Sequence, residues 1–215
     1  MTLYQEIRAA GKAMQEKALK ATKHLDFNPL RIAKKMTLPL NGRTLVFDGE
    51  AAQNAFLDFW FHEYRVNGKS LVESVDPVAT RLTSLEAEAL AAHCRSSTSF
   101  FEMEAVLPSE RQIRLRDLLN PAGPEVLLTD HGLSESADRL GARLGLFCRL
   151  LEVRGLTMTS GFAFAFQPER LPGILQAYRQ KMKKVTEAEM PQARFVFFFG
   201  KYRQFGEEQE FRDVV

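Results

Sequence analysis

Near residue 99 the apolar residues of this chain stop recurring at helical spacing and begin to alternate. A helix brings every third or fourth side chain to one face, and a strand every second one. The change therefore separates a mainly helical region, 1–97, from a strand-rich region, 98–168, with a closing segment over 169–215. In the strand-rich region FFEMEAVL, IRLRDLL, VLLTD, ARLGLFCRLLEV and LTMTSGFAFAFQ read as five strands. Short turns and the polar stretch HGLSESADRLG join them. Five short strands in succession make a small antiparallel barrel of SH3-like or OB-like type. The fold class is then α+β: N-terminal helices with a β-hairpin, the barrel, and a C-terminal helix.

The helical region carries its own punctuation. Thr2 to Gln5 and Thr83 to Glu86 have the spacing of capping boxes, in which a hydroxyl and a Gln or Glu satisfy each other's backbone donors. They open helices running to about His24 and Arg95. The first has a thin apolar stripe, Leu3, Ile7, Ala10, Met14, Ala18, Leu19 and Ala21, and gains little by packing alone. Asn28-Pro29 opens a short basic helix. Asn41-Gly42 between two apolar runs marks a hairpin over 37–47. Asp48 starts a strongly apolar helix, GEAAQNAFLDFWFHEYRV. In the closing segment ERLPGILQAYRQKMKKV, 169–185, is helical, while PQARFVFFFGKYRQFGEEQEF fits a helix or a strand–turn–strand, its last residues lying outside those the structure describes.

The middle of the chain, about Phe56 to Phe166, resembles uncharacterised bacterial proteins that often carry a SEC-C type zinc knuckle. DFWFHEYRVNGKSLVES, TSLEAEALAAHCRSSTSFFEMEAV, IRLRDLL, VLLTD and ARLGLFCRLL carry the resemblance. It implies an aromatic helix, a helix ending in a serine-rich turn, and a small barrel. It implies no reaction, and this chain lacks the Cys and His residues of the knuckle.

Chemistry is thinly represented. Cys94 and Cys148 form no CxxC pair and the four histidines are scattered, so neither a disulfide framework nor a metal site is expected. His62-Glu63 begins like a zincin, but Val66 stands where the second His belongs. His93 and Cys94 are adjacent, and adjacent helical residues point about 100° apart, which separates a base from its nucleophile. Asp130, His131, Ser134 and Ser136 are triad residue types inside one polar stretch without a nucleophile elbow. Glu102 and Glu104 share the solvent face of a strand. Phosphate-binding glycine loops are missing. The sequence thus names no catalytic residue and no cofactor, and points away from an enzyme. A hydrolase or transferase is the third-ranked reading.

Binding is better supported. Net charge is only +2, but residues 1–36 hold eight basic and three acidic side chains, while residues 37–168 hold twelve and seventeen. Lys12, Lys17, Lys20, Lys23, Arg31, Lys34 and Lys35 form a basic arm. Lys181, Lys183, Lys184, Lys201, Tyr202 and Arg203 form a second, basic-aromatic set. Cations that hold phosphates beside rings that stack on bases suit nucleic acid, the leading reading. The alternative is a protein-interaction module, with a protein partner or a homodimer meeting Phe195, Phe197, Phe198 and Phe199, because one helix face cannot bury four neighbouring rings. No apolar run reaches membrane-spanning length and the N-terminus lacks the apolar core of a signal peptide, so a cytoplasmic protein with no membrane contact is expected.

TSGFAFAF, 159–166, has a partial likeness to the aromatic strand of an RNA-recognition module. Ser160 stands where a cation belongs and Gln167 where the last aromatic belongs. Phe162, Phe164 and Phe166 share one strand face, which is expected to point into the barrel.

Overall fold

A computed structural model describes residues 1–140 and 143–206, with side chains except those of 138–140. The chain forms two units: Met1–Ser96 with Leu151–Leu156, and Ser97–Leu150 with the chain from Thr157 onward.

The first unit opens with α1, Leu3–Ala21. Thr2 and Gln5 complete the capping box expected from their spacing. Ile7, Met14 and Ala18 form its buried stripe. Helix α1 lies against α4, Ser84–Arg95. Polar contacts reinforce that thin stripe: Lys17 Nζ donates to both carboxylate oxygens of Glu86, at 2.8 and 2.6 Å. Helix α2 spans Pro29–Lys35 and is capped by the Asn28 side chain. The hairpin is shorter than its sequence suggests, with β1 at Leu40–Asn41 and β2 at Thr44–Leu45. Asn41 pairs with Thr44, so Gly42 and Arg43 make the turn, and Gly42 takes the positive φ of 62°.

Helix α3, Glu50–Asp58, does not run on to Val66. It widens into a π turn over Phe59–Glu63, where Tyr64 N–H bonds to Phe59 O, five residues back, at 2.9 Å. Such a turn inserts one residue and rotates the side chains that follow, and it is frequent at functional sites. Phe59, Phe61, His62 and Glu63 are buried there. The tip Leu151–Leu156 belongs to this unit, and Arg154 grips Glu88 with two bonds of 2.7 and 2.8 Å.

The second unit is a closed barrel of five strands: β3 Thr98–Leu107, β4 Gln112–Asp117, β5 Val126–Thr129, β6 Gly145–Val153 and β7 Leu156–Phe166. The order round the barrel is β3-β4-β5-β7-β6. The barrel is mixed, which corrects the antiparallel expectation: β5 and β7 run parallel, with Leu128 opposite Thr157. The cause lies in HGLSESADRL, which is the helix α5, His131–Leu140. It carries the chain away from β5, so that β6 pairs with β3 and β7 returns alongside β5. An SH3-type meander pairs successive strands antiparallel, so the parallel pair and the inserted helix put this barrel on the OB-like side.

The barrel interior is built from Phe101, Met103, Ile113, Leu115, Leu128, Leu146 and Cys148, closed by Ala163 and Ala165 of β7. Phe162, Phe164 and Phe166 therefore do not point inward as expected. Two alanines fit where the small barrel closes and three rings would not. The rings point outward and are covered by α7, Met190–Phe205, which runs beside α6, Leu171–Met182. Phe147 stacks on Phe198 at 4.3 Å, Phe164 on Tyr202 at 4.4 Å, and Phe162 meets Phe195 at 5.2 Å. This aromatic layer is a second core. Gly145 leaves room for it: a Cβ there would lie 2.1 Å from Leu171 Cδ2 and 3.0 Å from Phe100 Cζ.

Candidate functional site

The helical solution for α7 decides the fate of the Phe-rich tail. Phe195, Phe198 and Phe199 are fully buried, and Phe197 is half-buried against Tyr178 at 5.6 Å. Phe195, Phe198 and Phe199 sit under the barrel's outer face, while Phe197 keeps part of its ring at the surface.

The C-terminal basic-aromatic residues split into two groups. Tyr202 is drawn into the aromatic layer, and Arg194 donates to the carbonyl of Thr98. The rest remain at the surface. Arg179, Lys181, Lys183 and Lys184 are exposed at the C-terminal end of α6, with no ion pair among the described residues. At the other end, Lys201 Nζ lies 5.8 Å from the Phe197 ring and 5.4 Å from that of Phe205, and donates to Gln204 Oε1 at 3.3 Å. Arg170 lies 5.1 Å from the same Phe205 ring. Arg203 is exposed. Residues 169–206 hold eight basic side chains against Glu169, Glu187 and Glu189.

In the first unit the basic arm is partly neutralised. Lys17 is bound by Glu86, and Arg31 pairs with Asp26 at 2.9 Å. Lys35 sits 5.4 Å from the Tyr64 ring. Lys12, Lys20, Lys23 and Lys34 are exposed and without an ion pair among the described residues.

The outer face of β4 and β5 is the side where OB-type barrels receive oligonucleotides. Here it is self-neutralised. Arg116 binds Glu102 and reaches Glu104 at 3.2 Å, and Arg114 lies 3.7 Å from Glu125. These contacts hold the Arg116 guanidinium proton more firmly, through the hydrogen bond and charge of Glu102. A polyanion would have to displace three carboxylates to use this face.

Two motifs set aside by spacing converge in space. The π turn aims His62 at His93 of α4, with Nε2 and Nδ1 2.8 Å apart and both rings buried. His62 Nδ1 lies 2.9 Å from the carbonyl oxygen of Asp58 and 3.5 Å from its carboxylate. The centroids are 5.1 Å apart with planes 17° from parallel. That separation is the N–N distance plus one ring radius on each side, so the rings lie edge to edge and the nitrogens face each other directly. A single proton fits between them and a metal ion does not. No group of three or more metal-binding side chains exists among the described residues. Cys94, next to His93, donates instead to the carbonyl of Val72 at 3.6 Å, and burial pushes its thiol up.

The polar stretch around Asp130 is structural. Asp130 accepts from Leu133 N–H at 3.1 Å at the start of α5 and from Thr159 at 2.6 Å. Ser134 donates to the carbonyl of His131, and His131 Nδ1 faces Arg111 at 3.2 Å. The hydroxyl of Ser134 is thus turned to the backbone rather than to a base.

These features define an α+β protein with a helical unit and a closed mixed barrel, clasped on its outer face by two helices through an aromatic layer. The chain belongs to a family of unknown function, DUF7986, whose model matches residues 1–212. An uncharacterised family agrees with the resemblance drawn from 56–166, while the SEC-C knuckle part of that resemblance has no counterpart in the match. No curated protein and no solved structure matches the chain. No described helix is long and apolar enough to cross a membrane.

Proposed function

We propose that this protein binds nucleic acid through phosphate contacts made by its basic helices. The observation that carries the reading is the distribution of cations along α6 and α7. Arg170 and Lys201 lie at one end, and Lys181, Lys183 and Lys184 at the other. The span from residue 170 to 181 is roughly 16 Å at 1.5 Å per residue. Phosphates follow one another at about 3.4 Å along a strand, so both ends are reached by a stretch of about five nucleotides. Lys12, Lys20, Lys23 and Lys34 supply further exposed cations in the first unit.

Lysines presented without carboxylate partners bind through counterion release and carry no base specificity. The test is a fluorescence-polarisation titration against DNA and RNA strands of about 16 nucleotides, the upper end of site sizes for small barrels. Affinity should fall steeply between about 50 and 200 mM salt. Replacing Lys181, Lys183 and Lys184 together by Gln should weaken binding to every sequence alike and reduce the salt slope by about 2, at about 0.7 per phosphate contact. No binding at low salt, or binding indifferent to salt, would sink the reading.

A further inference from the structure

Phe205 is the sole exposed Phe, Tyr or Trp side chain among the described residues, at 41%. Every other described ring of the second unit is buried or half-buried, in the barrel interior or in the aromatic layer. The α6–α7 pairing explains its position. The C-terminal end of α7 lies beside the start of α6, which brings Arg170 to 5.1 Å and Lys201 to 5.4 Å from its centroid. Lys201 is one helical turn before Phe205, and Arg170 comes from the 3-10 turn that leads into α6. Two cations from separate elements thus hold one ring at the surface. An isolated hydrophobic ring gains nothing from exposure, whereas a ring flanked by cations can receive a flat, electron-rich partner attached to an anion.

We propose that Phe205 is a stacking seat for one unpaired base, which displaces Arg170 and Lys201 from over the ring so that they hold the phosphates on either side of it. This rests on the nucleic-acid reading and sharpens its substrate class to single strands. A duplex hides both faces of each base in its own stack, so it can use the lysines but not the ring. Glu169 is the one acidic residue immediately beside the seat in the described chain, and it follows Gln167-Pro168 on the approach to α6.

The experiment compares the full chain with Phe205→Ala, Phe205→Leu and Phe205→Trp, titrated with one labelled strand and with the duplex it forms with its complement. The wild type should prefer the single strand. Ala and Leu should each lose about 5- to 150-fold on the strand, the range for removing one base–aromatic stack, with the salt slope unchanged. Neither should change duplex binding. Trp should retain affinity, and its emission should be quenched as the strand binds, measured against the wild type, whose one tryptophan is Trp60. Wild-type affinity in the Ala variant, or equal losses on strand and duplex, overturns the stacking seat and leaves the phosphate reading standing. A wild type that binds neither form overturns the phosphate reading itself.

Discussion

His62 Nε2 and His93 Nδ1 face each other at 2.8 Å inside the first unit, with no room between them for more than one proton. The carbonyl of Asp58 settles which proton that is. A carbonyl only accepts, so His62 must carry hydrogen on Nδ1 to bond it at 2.9 Å. In that tautomer His62 presents a bare Nε2, and His93 donates to it from Nδ1. Long-range proton–nitrogen NMR should show both as Nδ1-protonated at neutral pH; an Nε2-protonated His62 would refute the assignment. His93→Phe leaves a buried Nε2 without its donor and should cost about 1–3 kcal/mol in a denaturant melt.

Glu86 ties three parts of the first unit together. It completes the capping box by accepting from Thr83 N–H at 2.7 Å, and it receives Lys17 from α1. The hydrogen bond from Lys17, then that from Thr83, holds its carboxyl below the usual carboxylate range. A depressed native pKa contributes stability above the unfolded value, about 4.3, and the contribution is lost as pH falls through the native value. Glu86→Gln should therefore destabilise at pH 7 by about 1–2 kcal/mol, the scale of a lost helix cap. The gap to wild type should close as melts are taken from about pH 5 downward. A gap that stays constant to pH 3 would show that the charge plays no part.

Much of the first unit could be read from sequence because capping boxes, Asx caps and Gly turns are local events within four residues. Thr2, Asn28 and Thr83 all act as their spacing implies. The pairing of His62 with His93 could not be read, since it spans 31 positions and depends on a π turn that no short motif announces. Helix α5 was within reach. Asp130 is a good cap, and Leu133 and Ala137 stand four residues apart, both buried. The polar composition of the stretch hid them. For β7, alternation shows that three Phe share a face but not which side of the sheet that face meets. That was decided by α7, whose own sequence fitted helix and strand equally. The basic sets were legible as composition, but which cations stay at the surface depended on the positions of Glu86 and Phe164.

The outward orientation of the Phe face gives two substitutions different signatures in α7. Phe147→Ala removes a ring in contact with Phe162, Phe164, Phe195 and Phe198 and should cost about 3–5 kcal/mol. It should also loosen α7, seen as faster amide exchange across Met190–Phe205 than in β4. Ala163→Leu adds bulk inside the closed barrel, where Ala163 lies with Leu128 and Leu146, and should cost about 1–3 kcal/mol while α7 keeps its protection. Equal loss of protection in α7 for both variants would mean that the barrel interior and the outer layer are one core.

Gly145 tests how closely α6 approaches the barrel. The residue sits at the start of β6, opposite Glu102 of β3, where the sheet passes under Leu171 and Phe100. Its added Cβ would overlap a Leu171 methyl group, which can rotate away, and press on the Phe100 ring, which is fixed by Phe166 at 5.6 Å and Phe198 at 4.8 Å. Gly145→Ala should therefore be partly absorbed and cost about 1 kcal/mol, whereas Gly145→Val should reach about 3 kcal/mol because a branched side chain leaves Leu171 nowhere to turn. Pairing Gly145→Val with Leu171→Ala should recover part of that loss. The two substitutions share one volume, so their effects should depart from additivity by about 0.5 kcal/mol or more in a double-mutant cycle. Strict additivity would show that the strain falls on Phe100 and the aromatic layer instead of on α6.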